Sequence, residues 1–71
     1  MNFDRFIEKV QVLNIGEETS YWHFKARYEH TKSIWIYYRE REIAIVHSKT
    51  DAVAILRAMY KTIKVEFDGG I

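Results

Sequence analysis

Three histidines (His23, His30 and His47) and a central run of Trp, Tyr, Lys and Arg are the residues whose types could do chemistry in this chain. A transition-metal site needs its ligands to converge, and these do not. Alternation along extended backbone sends His23 and His47 to opposite sheet faces, His30 falls in a turn, and no His-x-x-x-His or His-Glu pair stands at helical spacing. His47, next to a capping serine, reads as a half-buried histidine with one hydrogen bond. Nucleophilic catalysis needs a Ser, Thr or Cys beside a base and an oxyanion hole. The chain has no Cys, and its glycines are Gly16, Gly69 and Gly70, two of them in the tail. Glu17-Glu18 and Glu40/Glu42 are turn carboxylates with no apolar pocket to raise a pKa. The expectation is a non-catalytic protein with no cofactor and no bound metal.

What remains is an aromatic-basic constellation. From Ser20 to Val46 alternation places Trp22, Phe24, Ala26, Tyr28, Ile34, Ile36 and Tyr38 on one side. The other side receives Tyr21, His23, Lys25, Arg27, Trp35, Tyr37 and Arg39, with Ala44 and Val46 beyond them. A face that met only water would be polar, yet this one carries Trp and Tyr among its cations. Aromatic faces stack on unpaired bases or anchor a protein partner, while Lys and Arg hold phosphates or carboxylates. The bland alternative is that Arg27 over Trp35 and Lys25 over Tyr37 are self-contained cation–π pairs, or that the C-terminal segment or a second subunit covers the face.

The elements that must position these residues follow from periodicity. Phe3, Phe6, Ile7, Val10 and Leu13 recur at helical spacing, with Asn2 as N-cap and Asp4 in the first turn, which predicts a helix over 3–13 stopped by Asn14-Ile15-Gly16. Ser20 to Glu29 reads as one strand, His30-Thr31-Lys32 as its turn, and the next strand pairs Tyr28 with Ile34 and Phe24 with Tyr38 inside. A turn through Glu40-Arg41 leads to a third strand over 42–47, setting Arg39 against Glu42, Tyr37 against Ala44 and Trp35 against Val46. Ser48-Lys49-Thr50-Asp51 has the form of a capping box and precedes Ala52, Ile55, Leu56, Met59, Tyr60 and Ile63, which predicts a helix over 49–62. Residues 63–67 alternate, so a short fourth strand competes there with helix continuation.

These elements predict an α+β fold: one two-layer domain over 1–71, in α-β-β-β-α order, with two helices on one face of a three-stranded antiparallel meander and residues 1–2 and 68–71 frayed. With 71 residues and no disulfide, hydrophobic packing alone must hold it, and the 48% apolar share suffices. Net charge is +1, although residues 21–49 hold six Lys or Arg against three Glu. No apolar run approaches the ~20 residues that span a bilayer, and the N-terminus lacks the apolar stretch of a signal peptide, so the expectation is a soluble cytoplasmic protein without a membrane partner.

The α-β-β-β-α order together with Ser48, Lys49 and Ala52 at the start of the second helix resembles the double-stranded-RNA-binding domain, whose final helix opens on a Ser-Lys-Lys-x-Ala-Lys run. The resemblance implies a phosphate contact for Lys49. It departs at Thr50 and Val53, where that family has its further lysines, and at His30-Thr31-Lys32-Ser33, where it has a Gly-Pro-x-His loop. Near-neutral charge also weakens a phosphate-driven reading. The leading expectation is therefore a small regulator or inhibitor, of the kind common in phage and mobile elements, that docks its aromatic-basic face on a protein partner or on itself. Nucleic-acid binding through the same face plus Lys49 is the alternative.

Overall fold

The computed structural model describes the backbone of residues 2–69 and the side chains of residues 2–63. Helix α1 (Phe3–Gln11) begins as expected: the Asn2 side chain accepts a hydrogen bond from the Arg5 N–H at 2.9 Å, and Asp4 sits in the first turn. It ends two residues earlier than the apolar spacing suggests. Gly16 is not its terminator; at φ 92° it lies in the following turn, where its N–H donates to the Tyr28 carbonyl at 2.7 Å. Leu13 is buried although it lies beyond the helix.

Four strands follow: β1 (Glu18–Tyr21), β2 (Phe24–Tyr28), β3 (Ile34–Tyr38) and β4 (Arg41–Val46), antiparallel and adjacent in chain order. Helix α2 (Lys49–Gly69) closes the chain. The order is α-β-β-β-β-α, so the expected three-stranded meander is a four-stranded one. The run read as a single strand from Ser20 is broken by a two-residue turn at Trp22-His23, and Tyr21 pairs with Phe24. That turn reverses the facing of everything before it, because the residues flanking a two-residue loop share a side. Tyr21 thereby goes under α1, its ring 6.4 Å from Phe3 and 6.0 Å from Phe6.

Between β2 and β3 the register is the expected one, from Phe24 opposite Tyr38 to Tyr28 opposite Ile34. Between β3 and β4 it is not. The turn is Arg39-Glu40, at φ 52° and 67°, so Tyr38 faces Arg41. An irregularity beside Ile36 and Tyr37 absorbs one extra residue, and beyond it Ile36 faces Ala44, Trp35 faces Ile45, and Ile34 faces Val46. Ala44 and Val46 therefore pack against the core, Ile45 stands opposite Trp35 and Glu42 opposite Tyr37 where Val46 and Ala44 were expected, and Ile43, the extra residue, is exposed.

The Ser48 hydroxyl accepts the Asp51 N–H at 3.0 Å, which starts α2 as the capping pattern predicts. The helix then runs on through residues 63–67, so the competing C-terminal strand does not form. Of the residues expected to fray, Asn2 caps α1, residues 68–69 end α2, and residues 1, 70 and 71 lie outside the described residues. Both helices cover the same sheet face. Phe6, Ile7, Val10, Phe24, Ala26, Ile34, Ile36, Ala52 and Leu56 form the buried centre, and Phe3 stacks flat on Tyr60 with ring centroids 3.9 Å apart. Among the described residues no helix is long and apolar enough to cross a membrane.

Candidate functional site: the open sheet face

With both helices on one side, no element of the described residues lies over the other face of the sheet. Trp35 and Ile45 stand directly opposite each other there, with Tyr37 two positions along β3 opposite Glu42, and Ile43 the extra residue of β4. Ile45 is 45% and Ile43 38% exposed, an unusual setting for two large aliphatic side chains side by side. The indole N–H of Trp35 donates to the Ser33 hydroxyl at 3.1 Å, and that hydroxyl is itself 2.6 Å from Thr31 Oγ1. The turn thus satisfies the polar edge of the indole and holds the ring in one orientation. An indole so held meets a partner at little further entropic cost.

The cations of this face are engaged within the chain. Lys25 Nζ lies 4.7 Å from the centroid of Tyr37 and 3.6 Å from a Glu18 carboxylate oxygen. Arg27, which the self-contained alternative set over Trp35, pairs instead with Glu29, its Nε 2.9 Å from Glu29 Oε1. The face is accordingly close to neutral, with an apolar-aromatic middle and ion pairs at its β1–β2 side.

Of the eight residues expected to form the site, the structure brings four together: Lys25, Arg27, Trp35 and Tyr37. Tyr21 points the other way, into the core, for the reason given by the Trp22-His23 turn. His23 and Arg39 lie in turns at one end of the sheet, joined by a bond from the Arg39 N–H to the His23 carbonyl at 2.8 Å. Lys49 is on the helical side, where its ammonium donates to the carbonyls of Gln11 and Leu13 at 2.9 and 2.8 Å and lies 5.3 Å from the Tyr28 ring centroid. It serves the exposed carbonyls at the end of α1, so the phosphate contact implied by the RNA-binding resemblance meets a lysine already committed. Trp22, expected in the core, is 54% exposed at the tip of a turn. His47, expected half-buried, is exposed. Among the described residues no three His, Cys, Asp or Glu side chains come together in a way that could hold a metal ion.

Sequence reasoning missed Ile43 and Ile45. Arg41-Glu42-Ile43-Ala44-Ile45-Val46 alternates apolar residues on both faces, so its pattern is compatible with either side facing inward, and the turn position decides between them. Compared with protein-family models, curated proteins and solved structures, the chain matches none.

Proposed function

We propose that this protein is a small non-catalytic binding domain that docks its open sheet face on a protein surface, either a different chain or a second copy, and acts as a cytoplasmic regulator or inhibitor. The observation that supports this reading is the half-buried Trp35 opposite the exposed Ile45, with the exposed Ile43 and half-buried Tyr37 near them, on the face opposite both helices. Aromatic and aliphatic anchors in a nearly neutral surround suit protein recognition, where a few such residues carry most of the affinity. A strand of nucleic acid would want free cations along a track, and Lys25, Arg27 and Lys49 each have an internal partner.

The test is the solution mass of the purified chain and of Trp35→Ala, alone and with a single-stranded oligonucleotide, at 50 and 200 mM salt. Association that survives the higher salt, ignores the oligonucleotide and disappears in Trp35→Ala is expected for self-docking; for a foreign partner, the same variant loses capture of it. Oligonucleotide binding that weakens roughly ten-fold or more across that salt range would overturn protein docking in favour of phosphate contact. Trp35→Ala should melt as a folded domain, losing about 1 kcal/mol with the indole hydrogen bond rather than the ~3–5 kcal/mol of a core aromatic.

A further inference from the structure

The two edges of the sheet are not alike. β1 has four residues, and Lys9 and Val12 of α1 share a shallow recess with its Glu18 and Thr19. β4 has six residues, four of them exposed, more than any other strand. An edge strand turns half of its backbone N–H and C=O groups away from the sheet, where they pair with water or with another strand. Among the described residues no turn, loop or cap hydrogen bond reaches residues 41–46, so the outer side of β4 is open. A Pro, a Lys or a very short strand is the common way to blunt such an edge. Arg41-Glu42-Ile43-Ala44-Ile45-Val46 has none of these, and no charge beyond Glu42. The irregularity at the Ile36–Tyr37 level lies towards the turn and leaves residues 44–46 in regular register with β3.

Which strand fits this edge follows from its own pattern. A strand pairs antiparallel with its copy when residues equally far from the two-fold axis point to the same side of the sheet, so that each finds a like environment opposite. β4 meets that condition about Ile45. Ala44 and Val46, one position to either side, both pack against the core, while Ile45 stands on the open side opposite Trp35. With the axis at Ile45, Ala44 of each copy lies opposite Val46 of the other, a small residue against a larger one, and the two Ile45 side chains face each other. The open faces then join, because the pair Trp35–Ile45 continues across the axis as Ile45–Trp35 of the second copy. An axis at Ala44 would put the extra residue, Ile43, in the centre of the pairing. Arg41 and Glu42 cancel, so the strand brings no net charge to its copy.

We propose that β4 pairs antiparallel with β4 of a second copy about a two-fold axis at Ile45, joining two four-stranded sheets into one of eight strands. Main-chain hydrogen bonds make the contact, and the alternation of Ala44, Ile45 and Val46 sets its register. This interface is the edge of the sheet and not its open face, so it does not rest on the docking reading, and either can fail alone.

Sedimentation equilibrium of the full chain at concentrations up to about 1 mM tests the pairing. A dimer is expected. Ile45→Lys should weaken it about ten-fold or more, since two like charges then face each other in place of two apolar side chains, and Ile45→Glu should do the same. An equimolar mixture of the two variants should recover the dimer, because opposite charges then meet across the axis. Both variants should melt within about 4 °C of the parent, as Ile45 is 45% exposed. Trp35→Ala separates the two interfaces: the edge dimer persists in it, whereas face docking is lost. A chain that stays monomeric, a dimer that Trp35→Ala abolishes, or a mixture of the Lys and Glu variants that stays monomeric would each overturn the pairing. A monomer whose 43–47 amides shift on addition of a synthetic peptide of alternating Val and Thr would give the edge to a foreign strand instead.

Discussion

At the scale of single residues, Lys25, Arg27 and Lys49 are each held by a partner within the chain. Lys49 shows the reason: the last carbonyls of a helix need donors, and an ammonium reaching across from α2 supplies them to Gln11 and Leu13 in one stroke while pinning α1 to α2. Lys49→Ala should lower stability by about 1–2 kcal/mol, read as the midpoint of urea unfolding, because two carbonyls lose a charged donor. Lys49→Arg should recover part of it. An unchanged midpoint in Lys49→Ala would mean that water serves these carbonyls equally well and that Lys49 is free for another task. Trp35 illustrates the opposite case, a residue whose type was legible as an anchor and whose hydrogen bond to Ser33 was not, since a contact two positions along a strand depends on how the Thr31–Ser33 turn folds.

Elements differ in how much of themselves they announce. Helix starts were plain from the residues that make them, Asn2 and Ser48, because a cap is a local hydrogen bond to an N–H three positions on. Turns were not. Neither Trp22-His23 nor Arg39-Glu40 contains the Gly or Asn that marks a two-residue hairpin loop, and the sequence offered nothing to set against the alternation that runs straight through the first of them. The price of such turns can be measured. Replacing Arg39-Glu40 by Asn-Gly gives both positions residues that accept a left-handed φ, and should raise stability by about 1–2 kcal/mol, a rise in melting temperature of roughly 4–8 °C or more for a domain of this size. No rise would show that these turns carry little strain.

For the whole molecule, the decisive fact is that two helices cover one face of the sheet and leave the other bare. Phe24 sits at the centre of the covered side, buried beneath α1 with its ring 6.2 Å from Phe3 and 6.3 Å from Phe6. Phe24→Ala should cost about 3–5 kcal/mol, a large share of the 5–15 kcal/mol typical of a folded domain, and the variant should show little cooperative unfolding in a thermal melt; a sharp transition near the parent's would place the core elsewhere. The sequence by itself determined the two amphipathic helices, the caps that start them, the β2–β3 pairing and the α+β class, because each rests on a period or a bond spanning a few neighbouring residues. Only the tertiary structure decided that Tyr21 turns inward, that Ile45 rather than Val46 stands opposite Trp35, that Lys49 closes α1, and that residues 63–67 continue a helix. Those outcomes hang on where two Gly-free turns fall and on which strand lies beneath which helix. A one-residue change in a turn exchanges the faces of an entire strand, and burial against distant side chains, which no local window contains, selects between the two.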